Sequence, residues 1–302
     1  MEDYLELGVL QALEAVKRAQ PGRGVHLAGY CLGGTLAAMA AALLAREGDA
    51  TLKTLSLLAA QTDFEEPGEL GLFINDSQVA FLEDVMAEPG YLDGRQMAGA
   101  FALINSRDLV WSRLVREYLL GRRTELDDLH AWNADATRLP ARMHSDYLRG
   151  MYLHNDLAEG AYVVRGQPLD LQDIHVPAFL LGTEWGHVSP WRSVYKTLRL
   201  LSSPVTFVLT TWGHNVGIVN PPQAARPGTQ HWVGMHDVGA LHPTPDAWLA
   251  RAQRRPGSWW PTWHGWLAEH SGAPARPLPL GGRGHGRQEP RVDAPGRYVL
   301  QP

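Results

Sequence analysis

A single cysteine, Cys31, stands among glycines in the segment Gly29-Tyr30-Cys31-Leu32-Gly33-Gly34-Thr35. A cysteine thiolate is a strong nucleophile, and the N-terminus of a helix that points at it favours both the thiolate and an oxyanion. Glycines two positions before and after the cysteine leave room for a sharply turning backbone, because glycine has no Cβ atom. A free cysteine is more often a buried structural thiol, but this spacing favours a nucleophile.

The residues around Cys31 predict a strand, a tight turn and a helix. Residues 25–28 form a short apolar run, and residues 36–46 are rich in alanine and leucine. The pattern G-x-C-x-G between them is typical of the nucleophile elbow of the α/β-hydrolase fold, with cysteine in the usual place of serine. In such a turn the backbone N–H of the residue after the nucleophile, here Leu32, donates to the oxyanion of the intermediate.

A histidine base is predicted at the end of a later strand. Residues 177–182 and 205–210 are apolar runs that predict parallel strands, and each run opens into a polar loop. Such loops build the sites of open α/β sheets. The hydrolase order of nucleophile, acid and histidine places an acid after the first strand and His214 after the second. We favour His214 as general base over an ordinary loop histidine, and interpret His26, inside a strand, as a core residue.

The remaining pattern predicts one catalytic domain, residues 1–302. An amphipathic helix is predicted over residues 4–19, a buried parallel strand over residues 54–60 and a further helix over residues 190–201. Strands alternating with helices indicate a mostly parallel sheet with helices against its faces, as in an α/β fold.

Residues 65–174 interrupt this alternation and are rich in aromatic side chains. We interpret them as a helical cap inserted into a core of residues 1–64 and 175–280, because the sheet pattern resumes directly afterwards. A separate helical domain is the less favoured alternative. Residues 281–302 begin with a glycine-rich stretch and predict a flexible tail. The helical patches of the cap are predicted at 79–86, 109–120 and 141–157.

The composition argues against several classes of function. The net charge is only −5 and the Lys and Arg residues are dispersed, which disfavours nucleic acid as a partner and a polybasic membrane anchor. No apolar run reaches the about 18 residues of a membrane helix, and no export signal is found at the start. His236 and His242 lack the context of a zinc site, so no metal is predicted. Four tryptophans in segment 259–266 favour packing of a helix over an exposed hydrophobic surface.

Several longer motifs make the chain resemble the polyhydroxyalkanoate synthases, and it is most similar to their class I. The resemblance covers nearly the whole sequence. Its motifs lie at residues 29–35, 118–121, 132–140, 143–145, 147–149, 187–195, 213–220 and 256–261.

The resemblance implies an acyltransferase that polymerises short-chain (R)-3-hydroxyacyl-CoA, such as 3-hydroxybutyryl-CoA, into polyester and releases CoA. Cys31 matches the nucleophile that carries the acyl chain as a thioester, and His214 matches the general base. The resemblance also implies a cytoplasmic homodimer that associates with polymer granules and needs no cofactor. Its partners would be 3-hydroxyacyl-CoA and the growing polyester chain.

Two features depart from this family. The resemblance places a catalytic aspartate directly before the histidine that matches His187, but this chain has Gly186 there. Glu184 and Asp63 are the possible substitute acids. The strands that normally precede the nucleophile strand are also missing, which predicts an unpaired edge on that strand and the loss of the usual second oxyanion donor. We interpret the sequence as a fragment of a longer one, unless another element covers this edge.

Three functions follow from these features. The first is the covalent acyl transfer just described. The second is a catalytically impaired homologue that binds granules or an intact synthase, which the missing aspartate and strands favour. The third, hydrolysis by a thioesterase-like or depolymerase-like reaction, is disfavoured by the cap motifs.

Overall fold

The computed structural model of the protein describes residues 1–97, 99, 111, 114–122, 128–135, 137–275 and 296–297. Apart from 296–297, the predicted tail 281–302 lies outside the described residues, and so does part of the helical patch predicted at 109–120. Within the described ranges, no helix combines the length and the apolar character needed to cross a membrane.

The strands of the described residues are, in chain order, β1 Val25–Tyr30, β2 Leu52–Leu58, β3 Tyr91–Leu92, β4 Leu139–Pro140, β5 Val163–Val164, β6 Gln167–Pro168, β7 Ala178–Thr183, β8 Val205–Thr210, β9 Gln230–His236 and β10 Gln253–Pro256. The central sheet has the order β1-β2-β7-β8-β9-β10. Its first four strands run parallel, whereas β9 and β10 are antiparallel to their neighbours. With a sharp turn and a helix directly after β1, this mainly parallel sheet has the α/β-hydrolase architecture, as predicted.

The helices are α1 Gln11–Ala19, α2 Leu32–Arg46, α3 Asp76–Ala87, α4 Asp128–Ala134, α5 Ala141–Tyr147, α6 Trp191–Lys196, α7 Pro245–Leu249 and α8 Trp260–Glu269. The helix predicted over 4–19 is confirmed, because a π-helical segment, Tyr4–Leu10, runs directly into α1. The helix predicted over 190–201 is shorter than expected, since α6 is followed by a 3₁₀ turn at Thr197–Arg199.

The core lies between α2 and the parallel strands. Residues 34–44 of α2 are all buried, and every position of β7 and β8 is buried as well. Parallel strands read as continuous apolar runs because helices cover both faces of the sheet. On the other face α8 packs through Trp266 against Phe179 of β7, with ring centroids 5.4 Å apart. This contact agrees with the packing interpretation of the tryptophan-rich segment.

Strands β9 and β10 were not predicted. Their sequences, QHWVGMH and QRRP, contain no continuous apolar run, and β10 carries two arginines. They are held by backbone pairing to β8 and to each other, for example Val208 with Val233. An antiparallel strand with one face open to solvent needs few apolar residues. A continuous apolar run, which predicts buried parallel strands, is therefore absent from such a strand.

The segment between β2 and β7 contains the helices α3, α4 and α5 and two short antiparallel ladders, β3–β4 and β5–β6. Its 141–157 patch is observed as α5 followed by a π-helical segment, Leu148–Leu153. The 79–86 patch lies within α3. We keep the name cap for residues 65–174; the division of the chain into a core and a cap stays a prediction.

Strand β1 lies at the edge of the central sheet. In the part of the chain that the structure describes, its sheet partner is β2, and the side away from β2 has no strand. Ala28, in the middle of β1, is exposed, whereas six of the seven positions of β2 are buried. This is the unpaired edge that the sequence predicts. His26 is half-buried rather than in the core, and its ring nitrogens lie 2.7 Å from Thr54 Oγ1 and 3.1 Å from Ser271 Oγ.

Candidate active site

Cys31 occupies a strained turn between β1 and α2. Its backbone has φ 53° and ψ −127°, a conformation that non-glycine residues rarely adopt and that often marks a functional site. The last pair of the β1–β2 ladder joins Tyr30 with Leu58, and the N–H of Cys31 donates to the carbonyl of Leu58 at 3.0 Å. The side chain therefore leaves the carboxyl end of the sheet at the start of the fifteen-residue helix α2.

Close backbone packing explains two glycines of the turn. A Cβ on Gly29 would lie 2.3 Å from the carbonyl oxygen of Gly33, and a Cβ on Gly34 would lie 2.3 Å from the Cβ of Ala60. A Cβ on Gly33 would meet no atom within 4 Å. The prediction that the glycines before and after Cys31 both make room is thus right for Gly29 and wrong for Gly33; the tight glycine after the cysteine is Gly34.

The Cys31 thiol is protonated at rest. Burial raises the pKa of this thiol, and the backbone N–H of Leu32, which hydrogen-bonds to the sulfur, acts in the opposite direction without overcoming it. The same N–H is the predicted oxyanion donor. Attack by the sulfur therefore requires a base that removes the thiol proton.

His214 lies in the loop after β8 and carries a neutral imidazole at pH 7. Burial, and after it electrostatic repulsion from the neighbouring His187, lower the pKa of His214 to about 4. Its Nδ1 is buried and has no hydrogen-bond partner among the described residues. A neutral ring can accept a proton. No side chain among the described residues accepts a hydrogen bond from Nδ1, however, so none stabilises the imidazolium that would form.

The carboxylates proposed as substitute acids do not reach Nδ1. Asp63 Oδ1 accepts from the backbone N–H of Glu65 at 2.9 Å and from Nδ2 of Asn155 at 3.2 Å, which ties it to the cap. Glu184 is exposed, and its backbone N–H donates to the carbonyl of Thr210. In this structure neither residue orients the His214 imidazole through Nδ1.

Tyr30 connects the turn that holds Cys31 to the loop that holds His214, the histidine loop. Its ring lies against the His214 ring, with centroids 5.1 Å apart and planes 30° apart. Its hydroxyl donates to Oδ1 of Asn215 at 2.6 Å and lies 3.2 Å from the carbonyl oxygen of His214. Sequence reasoning missed this role; the only signal was that Tyr30 directly precedes the cysteine.

Two aromatic side chains of the cap and Phe64, just before it, form a cluster near Cys31. Phe64, Tyr147 and Tyr152 form a cluster with ring centroids 4.8 to 6.0 Å apart. Burial raises the pKa of Tyr147 and of Tyr152, and charge on the Cys31 sulfur contributes to both shifts, which places these phenols near the thiol. The sequence had indicated Tyr147 and Tyr152 as aromatic residues of the cap, and Tyr147 also as part of a family motif.

A cleft of about 530 Å³ opens behind this cluster. Phe64 and Tyr152 line it together with the carboxylates Asp63, Glu65 and Glu159, whereas Cys31 does not. The two aromatic rings are thus shared between the cleft and the surroundings of the thiol. Acidic walls repel phosphate groups, so this cleft is unsuited to the phosphates of a nucleotide.

Tryptophans from the C-terminal helix hold the histidine loop from the other side. Nε1 of Trp259 donates to the carbonyl of Gly217, and Nε1 of Trp260 donates to the carbonyl of Ile218, both at 2.9 Å.

Among the described residues, no group of three or more His, Cys, Asp or Glu side chains could hold a metal ion.

Similarity to known proteins covers the whole chain. No protein-family model matches it. The poly(3-hydroxyalkanoate) polymerase subunit PhaC of Rhizobium meliloti is 39% identical over 300 residues, which cover 99% of this chain and 47% of that protein. The polymerase of Methylorubrum extorquens is also 39% identical, over 99% of this chain and 48% of its own length. PhaC of Cupriavidus necator is 36% identical, over 99% and 50%. The chain thus spans about half the length of these relatives.

The solved structures that resemble this chain do so at low identity and low TM-score. The monoacylglycerol lipase of Paleococcus ferrophilus has a TM-score of 0.38 and 13% identity, over 71% of this chain and 67% of that chain. The thioesterase RedJ of Streptomyces coelicolor has a TM-score of 0.37 and 14% identity, over 74% and 66%.

Proposed function

The chain is homologous along nearly its whole length to the poly(3-hydroxyalkanoate) polymerases, and on this basis we propose that it is an acyltransferase that takes (R)-3-hydroxyacyl groups from CoA and joins them into polyester. Short-chain units such as 3-hydroxybutyryl-CoA are the proposed substrates. The observation that carries the proposal is the strained turn that presents Cys31, the only cysteine of the chain, at the N-terminus of α2.

The first step loads the enzyme. His214 accepts the Cys31 thiol proton, and the sulfur attacks the thioester carbonyl of the acyl-CoA. The Leu32 N–H donates to the oxyanion that develops on the carbonyl oxygen. The bond between the acyl carbon and the CoA sulfur then breaks, and the CoA thiolate takes the proton from His214. One thioester replaces another, so the exchange is close to balanced in free energy.

The second step lengthens the chain. The 3-hydroxyl of the next unit attacks the acyl group on Cys31 while His214 accepts the hydroxyl proton. A carbon–oxygen ester bond forms, the carbon–sulfur bond breaks, and the Cys31 thiolate recovers a proton from the imidazolium. The aromatic cluster of Phe64, Tyr147 and Tyr152 near Cys31 supports this step, because apolar rings beside a thioester favour its transfer to a hydroxyl over hydrolysis by water.

The test is thiol release from (R)-3-hydroxybutyryl-CoA by the purified chain, with Cys31→Ala as the matched control. We expect CoA release that is lost in the variant, together with polymer and not free 3-hydroxybutyrate. Free acid in place of polymer would identify a hydrolase. No CoA release from the unaltered chain would contradict the proposal.

A second candidate is supported by the surroundings of His214. With a lowered pKa on His214, a raised pKa on Cys31 and glycine at position 186, proton transfer between the two side chains is strongly uphill. A homologue with this defect would bind polymer granules or an intact synthase instead of elongating a chain. It would release no CoA and would co-purify with granules or with the synthase. Granule association and a homodimer, which the family resemblance implies, are part of the proposal in both cases.

A further inference from the structure

The imidazole of His214 lacks the partner that normally fixes a catalytic histidine. A carboxylate at Nδ1 would hold the ring in place and select its tautomer. Here Nδ1 is buried without a partner in the described part of the chain, and the family aspartate is replaced by Gly186. A ring held only by its own backbone would sample several rotamers, so another contact has to define its position.

Tyr30 makes the contacts that restrict this ring. It stacks on His214 at 5.1 Å between centroids, and its hydroxyl reaches both the carbonyl of His214 and Oδ1 of Asn215. Because Tyr30 directly precedes Cys31 in the chain, any fixed distance from Tyr30 to His214 also limits the distance from the thiol to the imidazole. The two residues joined in this way are 184 positions apart in sequence.

Tyr30 is itself held firmly. It forms the last pair of the β1–β2 ladder with Leu58, and its ring lies 6.4 Å from that of Trp132 in α4. Burial raises the pKa of Tyr30, so the hydroxyl stays protonated and remains a hydrogen-bond donor across the usable pH range. The Tyr30 hydroxyl thus remains a donor at every pH of the proposed test.

We propose that Tyr30 is a positioning residue that holds the His214 imidazole against the Cys31 thiol where an acid partner is absent. It acts through stacking and through its hydrogen bonds to the histidine loop. It cannot select the tautomer of His214, because its hydroxyl bonds to the backbone and to Asn215 rather than to a ring nitrogen. This inference rests on the proposed role of His214 as base for Cys31.

The chain offers a direct test, because Cys31 is its only cysteine. The rate of alkylation by iodoacetamide therefore reports on this thiol alone and requires no polymerase activity. The rate is measured from pH 6 to pH 9 for the unaltered chain, Tyr30→Phe, His214→Ala and the double variant. We expect Tyr30→Phe to slow alkylation near pH 7 by roughly five- to tenfold, as a lost hydrogen bond does. We expect His214→Ala to slow it at least as much, because the base itself is lost.

The double variant separates positioning from a general structural effect. If Tyr30 acts through His214, Tyr30→Phe changes the rate by less than about twofold once His214 is alanine, since coupled residues are not additive. Tyr195→Phe is the matched control, because it also removes a hydroxyl that donates to a carbonyl, that of Pro243 at 3.2 Å. It is expected to leave alkylation unchanged.

Two outcomes overturn the inference. Either Tyr30→Phe leaves alkylation unchanged while His214→Ala slows it, or Tyr30→Phe slows alkylation equally in both backgrounds. A different result, no effect of His214→Ala, would instead contradict the proposed base and with it the proposed mechanism. Thermal unfolding of each variant shows whether the variant is folded under the conditions in which its alkylation rate is measured.

Discussion

At the scale of single residues, the neutral His214 imidazole makes folding sensitive to acid. Its pKa is about 4 in the folded protein against 6.5 for the free side chain. Between these values the unfolded chain binds more protons than the folded one, so the free energy of unfolding falls as the pH falls. Above pH 7 His214 is neutral in both states and does not affect how the free energy of unfolding changes with pH.

We therefore predict that His214→Asn flattens the loss of stability between about pH 6.5 and pH 4. The difference should amount to the order of 1–3 kcal/mol across that range. Urea unfolding at a series of pH values measures it, and the two proteins should give parallel curves above pH 7. An unchanged slope in the variant would show that His214 is protonated as easily in the folded state as in the unfolded one.

The surroundings of Gly186 determine how a side chain introduced at this position affects stability. A Cβ at this position would lie 2.4 Å from Oγ1 of Thr183 and 3.0 Å from the carbonyl oxygen of Ser189. Oγ1 of Thr183 is buried and has no hydrogen-bond partner in the described residues, so it can be removed without the loss of a bond. Restoring the family aspartate therefore requires more than one substitution.

We predict that Gly186→Asp alone lowers the free energy of unfolding by about 1–3 kcal/mol, because of overpacking. Gly186→Asp should be less destabilising when it is combined with Thr183→Ala. Thr183→Ala alone should cost about 0.5–1.5 kcal/mol, because it removes a buried methyl group along with the hydroxyl. Urea unfolding of the three variants tests the prediction. If Gly186→Asp is as stable as the unaltered chain, the loop accommodates the side chain by moving and the steric argument fails.

At the scale of elements, the β5–β6 hairpin is fastened to α2 by Arg46. The guanidinium donates to the carbonyls of Gln167 at 3.0 Å, Pro168 at 2.9 Å and Val164 at 3.1 Å. The hairpin turns at Arg165 and Gly166, both with positive φ, as a two-residue hairpin loop requires. The last turn of α2 is thus bonded to the β5–β6 hairpin of the cap.

Arg165 extends this connection to the N-terminal helix through charged groups. It forms ion pairs with Glu6 and Glu47, both at 2.6 Å, and its own side chain is 41% exposed. Ion pairs with such exposure contribute little and are screened by salt. The two arginines therefore stabilise the hairpin by different physical means.

We predict that Arg46→Ala lowers the free energy of unfolding by about 1–3 kcal/mol, since three carbonyls lose their donor. Arg165→Ala should cost less than about 1 kcal/mol. Raising the salt concentration to about 1 M should shrink the effect of Arg165→Ala and leave that of Arg46→Ala unchanged. Equal salt dependence of the two variants would contradict this division.

At the scale of the whole molecule, β1 forms an unpaired edge of the parallel part of the sheet. Parallel strands are normally covered, but the side of β1 away from β2 has no strand in the described residues, and Ala28 is exposed there. An unpaired edge next to apolar residues offers its backbone to another chain. The turn that holds Cys31, at the end of the same strand, would be affected by any such pairing.

We predict that the 302-residue chain self-associates through this edge and that Ala28→Lys reduces the association, because a charged side chain on an edge strand opposes pairing. Light scattering as a function of concentration measures the effect. Leu241→Lys is the control for added charge, since Leu241 is 98% exposed and lies away from the edge. Equal suppression by the two variants would attribute the association to net charge instead of the edge.

The sequence by itself determined the features that are encoded locally. The spacing of glycines around Cys31, the apolar runs of β7 and β8 and the amphipathic pattern of residues 4–19 were sufficient to predict the turn, the parallel strands and the first helix. Each of these depends on neighbours within a few residues, which is why a pattern in one stretch of chain reveals them. The family motifs likewise sufficed to predict the homology to the polymerases.

Only the tertiary structure decided which side chains meet. Tyr30 contacts His214, Gly34 packs against Ala60, and no carboxylate reaches Nδ1 of His214 among the described residues. Such contacts join distant parts of the chain, and they depend on how sheet, helices and cap pack together. No local pattern specifies that packing. A substitute acid proposed from the sequence, Glu184, therefore ends at the surface, while Tyr30, beside Cys31, contacts the histidine loop.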